Sequence, residues 1–130
     1  MNILVGYDPP HPNSKLIDRV IANARKQNAY VYLVTSLFDG RQVGRDDADK
    51  KTEELQKIKA VLDEKNISSE AHVLVGDRTP GEDITSFALE HGIDEIIIQI
   101  KKTSRVDKLL TGSNAQHIIL NAPCAVVSVR

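Results

Sequence analysis

The chain has 130 residues, with 17 Lys and Arg against 18 Asp and Glu and a formal net charge of −1. That length suits one layered core and is short for two, so residues 1-130 are expected to form a single domain. The balanced charge excludes a general attraction to nucleic acid or to an anionic membrane, both of which need a marked positive excess.

Two kinds of segment alternate along the chain. Ile3–Tyr7, Tyr30–Thr35, Ser69–Val75, Glu95–Ile98 and Ala125–Val129 are short and rich in Val, Ile and Tyr. Most are nearly continuous in apolar character, as strands covered on both faces require. Between them run segments with helical spacing. Leu16, Ile17, Val20, Ile21 and Ala24 make one apolar stripe, and Leu55, Ile58, Val61 and Leu62 a second. Ile84, Phe87, Ala88 and His91 form a third, and Ala115, Ile118 and Ile119 a fourth. The stretch Ser36–Asp47 is polar, contains Gly40 and Gly44, and reads as a surface loop.

Local chemistry marks the helix ends. Asn13 or Ser14 is placed to cap the first helix and Ser113 the last. Thr79 before Pro80, Gly81, Glu82 and Asp83 gives a cap, a proline at the first helical position and acids facing the positive end of the dipole. Gly92 after His91 suits a left-handed C-terminal stop. The resulting β-α-β-α-β-α-β-α-β order predicts an α/β fold, a parallel sheet with helices on both faces.

The chain opens Met-Asn-Ile-Leu-Val-Gly, without a basic segment leading into a long apolar one, so a secretory signal is not expected. Apolar runs such as Ile96–Ile98 fall far below the roughly 20 residues of a membrane helix. A lone cysteine makes no internal disulfide. The expectation is a cytoplasmic protein with neither membrane nor nucleic-acid partner.

In an open parallel sheet, ligands bind beyond the carboxyl ends of the strands, where strand order reverses. Asp8 follows the first strand, Thr35 and Ser36 the second, and Gly76-Asp77-Arg78-Thr79 the third. After the fourth comes Gln99-Ile100-Lys101-Lys102-Thr103-Ser104-Arg105-Val106-Asp107-Lys108, closing on Gly112-Ser113 at a helix start. Four cationic side chains before a helix N-terminus suit an anion, because the terminus carries free N–H donors and partial positive charge. A solvated basic loop with an ordinary cap explains the same residues.

The C-terminal half, with Ile96-Ile97-Ile98, the basic loop, Leu109-Leu110-Thr111-Gly112-Ser113 and Asn121-Ala122-Pro123-Cys124-Ala125-Val126-Val127-Ser128-Val129, resembles the universal stress protein family. The opening strand ending in Asp8 and the Val75-Gly76 turn leading to Pro80 are similar to the same family. The resemblance implies a five-stranded parallel sheet of order 3-2-1-4-5 in a Rossmann-like fold, and a homodimer formed through the last strand, Cys124–Arg130. It also implies an ATP site, with magnesium, around a Gly-x2-Gly-x9-Gly-(Ser/Thr) signature. Here the spacing is kept but Gln99 and Lys102 replace the first two glycines, while Gly112 and Ser113 stand in place.

By the same resemblance, Asp8 would face the nucleoside, Val34 or Thr35 would flank the adenine, and Ile98 and Gln99 would line the pocket. Lys101 and Lys102 would meet phosphates, with Gly112, Ser113 and Asn114 closing the helix end. A lysine in left-handed backbone costs roughly 1–2 kcal/mol, so loss of the glycines weakens the usual ATP geometry. Lys101, Lys102 and Arg105 could return charge to the phosphates.

Other groups have plainer explanations. His11, His72, His91 and His117 lack metal-like pairing, Cys124 reads as a small buried residue, and Asp46, Asp47 and Asp49 as acids at a helix start. No P-loop, no dinucleotide-binding glycine motif and no nucleophile beside a base appears, so at most weak ATP hydrolysis is expected. The reading is a dimeric stress-response binding module with an adenine-nucleotide or anion site. A nucleotide-free member acting only through protein contacts, or a slow ATPase, are the alternatives.

Overall fold

The structure is a computed structural model that describes residues 1–6, 14–38, 45–100 and 113–130. Its elements are β1 (Asn2–Gly6), α1 (Ser14–Gln27), β2 (Tyr30–Phe38), α2 (Arg45–Glu64), β3 (Ser69–Gly76), α3 (Pro80–Glu90), β4 (Glu95–Gln99), α4 (Ser113–Asn121) and β5 (Ala125–Val129). The strands form one five-stranded sheet in the order β3-β2-β1-β4-β5, every neighbouring pair parallel. The expected fold class and strand order are therefore observed.

Side-chain alternation splits the core in two. Ile3, Val5, Val31, Leu33 and Ile97 face α1 and α2 and pack on Leu16, Val20, Leu55 and Leu62. Leu4, Val34, Ile96 and Ile98 face α3 and α4 and pack on Ile84, Phe87, Ala88 and Ile118. Central strands need apolar side chains on both faces, which is why their sequences run without polar interruption. Each fully buried aliphatic side chain contributes about 1.5–3 kcal/mol of transfer free energy.

The helical stripes are observed with three trims. Val61 and Ile119 lie at the margins of their stripes and stay exposed, because each is rotated away from the sheet. His91 also remains exposed, at the C-terminus of α3. One boundary differs more. The segment expected to loop from Ser36 continues β2 through Phe38, in register Ser36↔Leu74, Leu37↔Val75 and Phe38↔Gly76, and α2 begins at Arg45. The longer partner β3 and burial of Leu37 draw the strand on.

Three helices stop alike. Asn28, Asn66 and Gly92 have φ of 50°, 61° and 60°. The following N–H groups of Ala29, Ile67 and Ile93 donate to Ala24, Leu62 and Ala88 carbonyls at 2.9, 2.9 and 3.0 Å. This is a Schellman closure, with a buried apolar residue after each left-handed one.

Candidate functional site

The central strand β1 is described up to Gly6. β1 pairs with β2 up to Gly6↔Val34 and with β4 up to Gly6↔Ile98. Both neighbours run on past that level: β2 through Thr35 to Phe38 beside β3, and β4 to Gln99 beside β5. Ile100 N–H extends the β4 side by donating to Val129 O at 2.7 Å. Gly6 lies between β2 and β4, which stand two strand spacings apart, about 10 Å. Following β1 and β4, the chain turns to opposite faces, with α1 in one layer and α4 in the other. That reversal is the ligand-binding crevice of open parallel sheets.

Two helix N-termini border the crevice on the α3/α4 face, and they differ in what they offer. In α3 the first-turn donors are already used. Pro80 has no N–H, Gly81 N donates to Asn114 Oδ1 at 3.0 Å, and Glu82 N donates to Thr79 Oγ1 at 3.3 Å. Glu82 returns the capping box by accepting from Thr79 N at 3.1 Å, and these bonds hold its carboxyl below the ordinary carboxylate range. Among the described residues, no side chain or turn carbonyl accepts from the first-turn N–H groups of α4. A second tie joins the end of β2 to α3, where Ser36 Oγ donates to Asp83 Oδ2 at 2.5 Å.

Of the residues expected to form the site, Val34, Thr35, Ile98, Gln99, Ser113 and Asn114 are described. Thr35 and Gln99 lie on β2 and β4 one residue past the Gly6 level, Thr35 buried and Gln99 half-buried. Val34 and Ile98 are buried at that level in the α3/α4 core, so their side chains serve as packing under the crevice. Val34 and Thr35 point to opposite faces of the sheet, so one base cannot lie against both side chains. Ser113 is the exposed first residue of α4. Asn114 is half-buried, and its side-chain oxygen is turned to α3. Asp8, Lys101, Lys102 and Gly112 lie outside the described residues.

Sequence reasoning missed Gly6, Gly81 and the Ser36–Asp83 tie. A glycine closing an apolar strand was the available signal for Gly6. A Cβ there would meet Ile98 Cγ2 at 3.2 Å and Ile84 Cδ1 at 3.6 Å. The other two depend on contacts between elements far apart in sequence.

At the other end of the sheet, a polar and aromatic cluster gathers between β2, β3 and α3. Glu70 accepts from Tyr30 Oη at 2.8 Å and meets His72 Nε2 through its other oxygen. These bonds, His72 first, lower the Glu70 carboxyl from its ordinary range, while the Glu70 bond raises the Tyr30 phenol. His91 stacks on Phe87 with ring centroids 3.8 Å apart, and His72 lies 6.4 Å from His91. Among the described residues, no three His, Cys, Asp or Glu side chains are grouped to hold a metal ion. Cys124 is only partly buried against the α3/α4 core, and that burial raises its thiol. Among the described residues, no helix is long and apolar enough to cross a membrane.

An open parallel sheet of order 3-2-1-4-5, with its crevice above β1, defines a Rossmann-like α/β protein. The model of the universal stress protein family matches residues 1–130, and the chain belongs to that family. A universal stress protein from Archaeoglobus fulgidus shares 30% identity over 100% of this chain and 98% of its own, with a TM-score of 0.88. A universal stress protein structure from Archaeoglobus fulgidus, in complex with dAMP, is 27% identical over 100% of this chain and 98% of its own, with a TM-score of 0.84. Universal stress protein UspA from Lactobacillus plantarum is 18% identical over 99% of this chain and 97% of its own, and shares the fold at a TM-score of 0.84. No curated protein matches the sequence.

Proposed function

We propose that the chain is a single-domain stress-response binding module that takes an adenine nucleotide or a related anion in the crevice above Gly6. The observation that carries this reading is the reversal of strand order at β1, where the elements after β1 and β4 lie on opposite faces of the sheet. The dAMP bound by the 27% identical relative supports it. In this reading Asp8 faces the nucleoside, Val34 or Thr35 on β2 flanks the adenine, and Ile98 and Gln99 line the pocket. Lys101 and Lys102 meet the phosphates of ATP with its magnesium, and Gly112, Ser113 and Asn114 form the helix end. The lysines supply as point charges what glycine backbone N–H groups supply elsewhere.

The protein works by binding rather than by turnover, as a cytoplasmic homodimer. Support for the dimer lies in β5, which among the described residues is an edge strand with only β4 beside it, and has Ala125 and Ser128 exposed. An open edge of this kind accepts a second strand through its backbone. Sedimentation at micromolar concentration is expected to give a dimer; a monomer refutes this part.

A second reading, a nucleotide-free module, is favoured by Gln99 and Lys102 at the two glycine positions. The deciding experiment is the nucleotide content of the purified protein, denatured and run on an ion-exchange column. Recovery of ATP or AMP near one per chain is the expected result. An empty protein whose Tm is unmoved by millimolar Mg-ATP favours the second reading, since ligand at 100 times Kd adds about 2.7 kcal/mol.

A further inference from the structure

Gly81 and Asn114 form a joint between the first turns of α3 and α4, 33 residues apart in sequence. Gly81 is buried there, and its N–H donates to Asn114 Oδ1 at 3.0 Å. A Cβ at position 81 would stand 3.0 Å from Asn114 O, 3.1 Å from His117 Cβ and 3.2 Å from Asn114 Cα. Two of those three atoms belong to the backbone of α4, which cannot rotate aside as a side chain can. The next turn repeats the contact, with Thr85 Oγ1 3.5 Å from His117 Nε2. The absent side chain of Gly81 thus sets how closely α4 approaches, and the Asn114 amide fixes its register along α3.

The joint also uses a helix donor that would otherwise face the crevice. It takes the one α3 donor, Gly81 N–H, that the capping box leaves over. The α3 terminus is thereby closed to a ligand, and in the nucleotide reading backbone donation falls to the α4 first turn, whose position the joint sets.

We infer that Gly81 and Asn114 are positioning residues that aim the first turn of α4 at the phosphates of a bound nucleotide. This rests on the nucleotide reading above. Asn114 then acts on the ligand through backbone placement, its side-chain oxygen being committed to Gly81. Phosphate recognition by N–H groups is sensitive to a few tenths of an ångström, because hydrogen bonds to charged groups are short and directional. The nucleoside, held at the strand ends, is insensitive to the same displacement.

The test is isothermal titration of the full chain with Mg-ATP and with adenosine, for the wild type, Asn114→Ala, Gly81→Ala and Ile58→Val. Ile58 is buried in the α1/α2 layer, so its variant lowers stability without touching the joint. Both joint variants are expected to weaken ATP about tenfold, the equivalent of one charge-assisted bond, and adenosine by less than about twofold. Ile58→Val should leave the ratio of the two affinities unchanged. Asn114→Ala removes a side chain without adding volume, and so reports even where Gly81→Ala fails to fold. Wild-type ATP binding with an unchanged ATP-to-adenosine ratio in Asn114→Ala overturns the inference and leaves the nucleotide reading standing. A wild type that binds neither ligand overturns both.

Discussion

The Ser36–Asp83 bond offers a measurable link between the end of the sheet and the helix that borders the crevice. Ser36 Oγ lies 2.5 Å from Asp83 Oδ2, and both residues are half-buried. A hydrogen bond to a charged group is worth about 1.5–3 kcal/mol, and partial exposure puts this one near the lower end. Ser36→Ala should therefore cost about 1–1.5 kcal/mol. Asp83 also sits in the first turn of α3, where a carboxylate gains about 0.3–1 kcal/mol from the dipole. Asp83→Ala should cost correspondingly more, about 2 kcal/mol. The double variant should cost little beyond Asp83→Ala, giving a coupling of about 1 kcal/mol in a double-mutant cycle. Unfolding entropy of about 2.1 cal/mol/K per residue makes 1 kcal/mol worth about 4 °C in Tm for a chain of 130 residues. Urea denaturation of the four proteins measures the cycle. Added salt should leave the coupling in place, because one partner is neutral. Additive single effects, with coupling below about 0.3 kcal/mol, would mean that the bond does not hold the strand end to α3.

Gly92→Ala should lose about 1 kcal/mol in urea denaturation, all of it backbone strain, since φ is 60° and nothing lies within 4 Å of the added Cβ. Ser69→Ala is expected to gain stability, by about 1 kcal/mol, because its hydroxyl is buried at the start of β3 without a partner; a loss refutes that placement. Glu70, held low by His72 and Tyr30, contributes stability that is present above the ordinary carboxylate range and lost as pH falls through its folded-state value. Glu70→Gln should accordingly flatten stability against pH between about pH 5 and 3, followed by denaturant titration at each pH. An unchanged acid limb in that variant refutes the assigned bonds.

The sheet was legible because its strands are buried on both faces. Ile3–Val5 and Ile96–Ile98 leave no polar residue to choose a side, and only a covered parallel strand tolerates that. The α3 start was equally plain, since Thr79, Pro80 and Glu82 satisfy each other within one turn. The other helix stops were harder to read. Asn28 and Asn66 adopt the conformation that Gly92 announces, yet asparagine is common in many other settings. The end of β2 was missed because Ser36 is polar, and its extension depends on pairing with Leu74, 38 residues onward.

The candidate site divides in the same way. The helix start at Ser113 could be read from local pattern, since it is set by neighbours in sequence, whereas Thr35, expected at a strand end, lies inside β2. The close approach of Gly6 to Ile98 and the turning of Asn114 toward Gly81 could not be read that way. They arise from register and helix approach, which join residues that the chain separates widely. What the sequence determined by itself is the succession of elements, their buried faces, the balance of charge and the family. Tertiary structure alone decided that the Gly81 N–H at the start of α3 is used rather than left for a ligand, because that bond forms only once the distant Asn114 is in place.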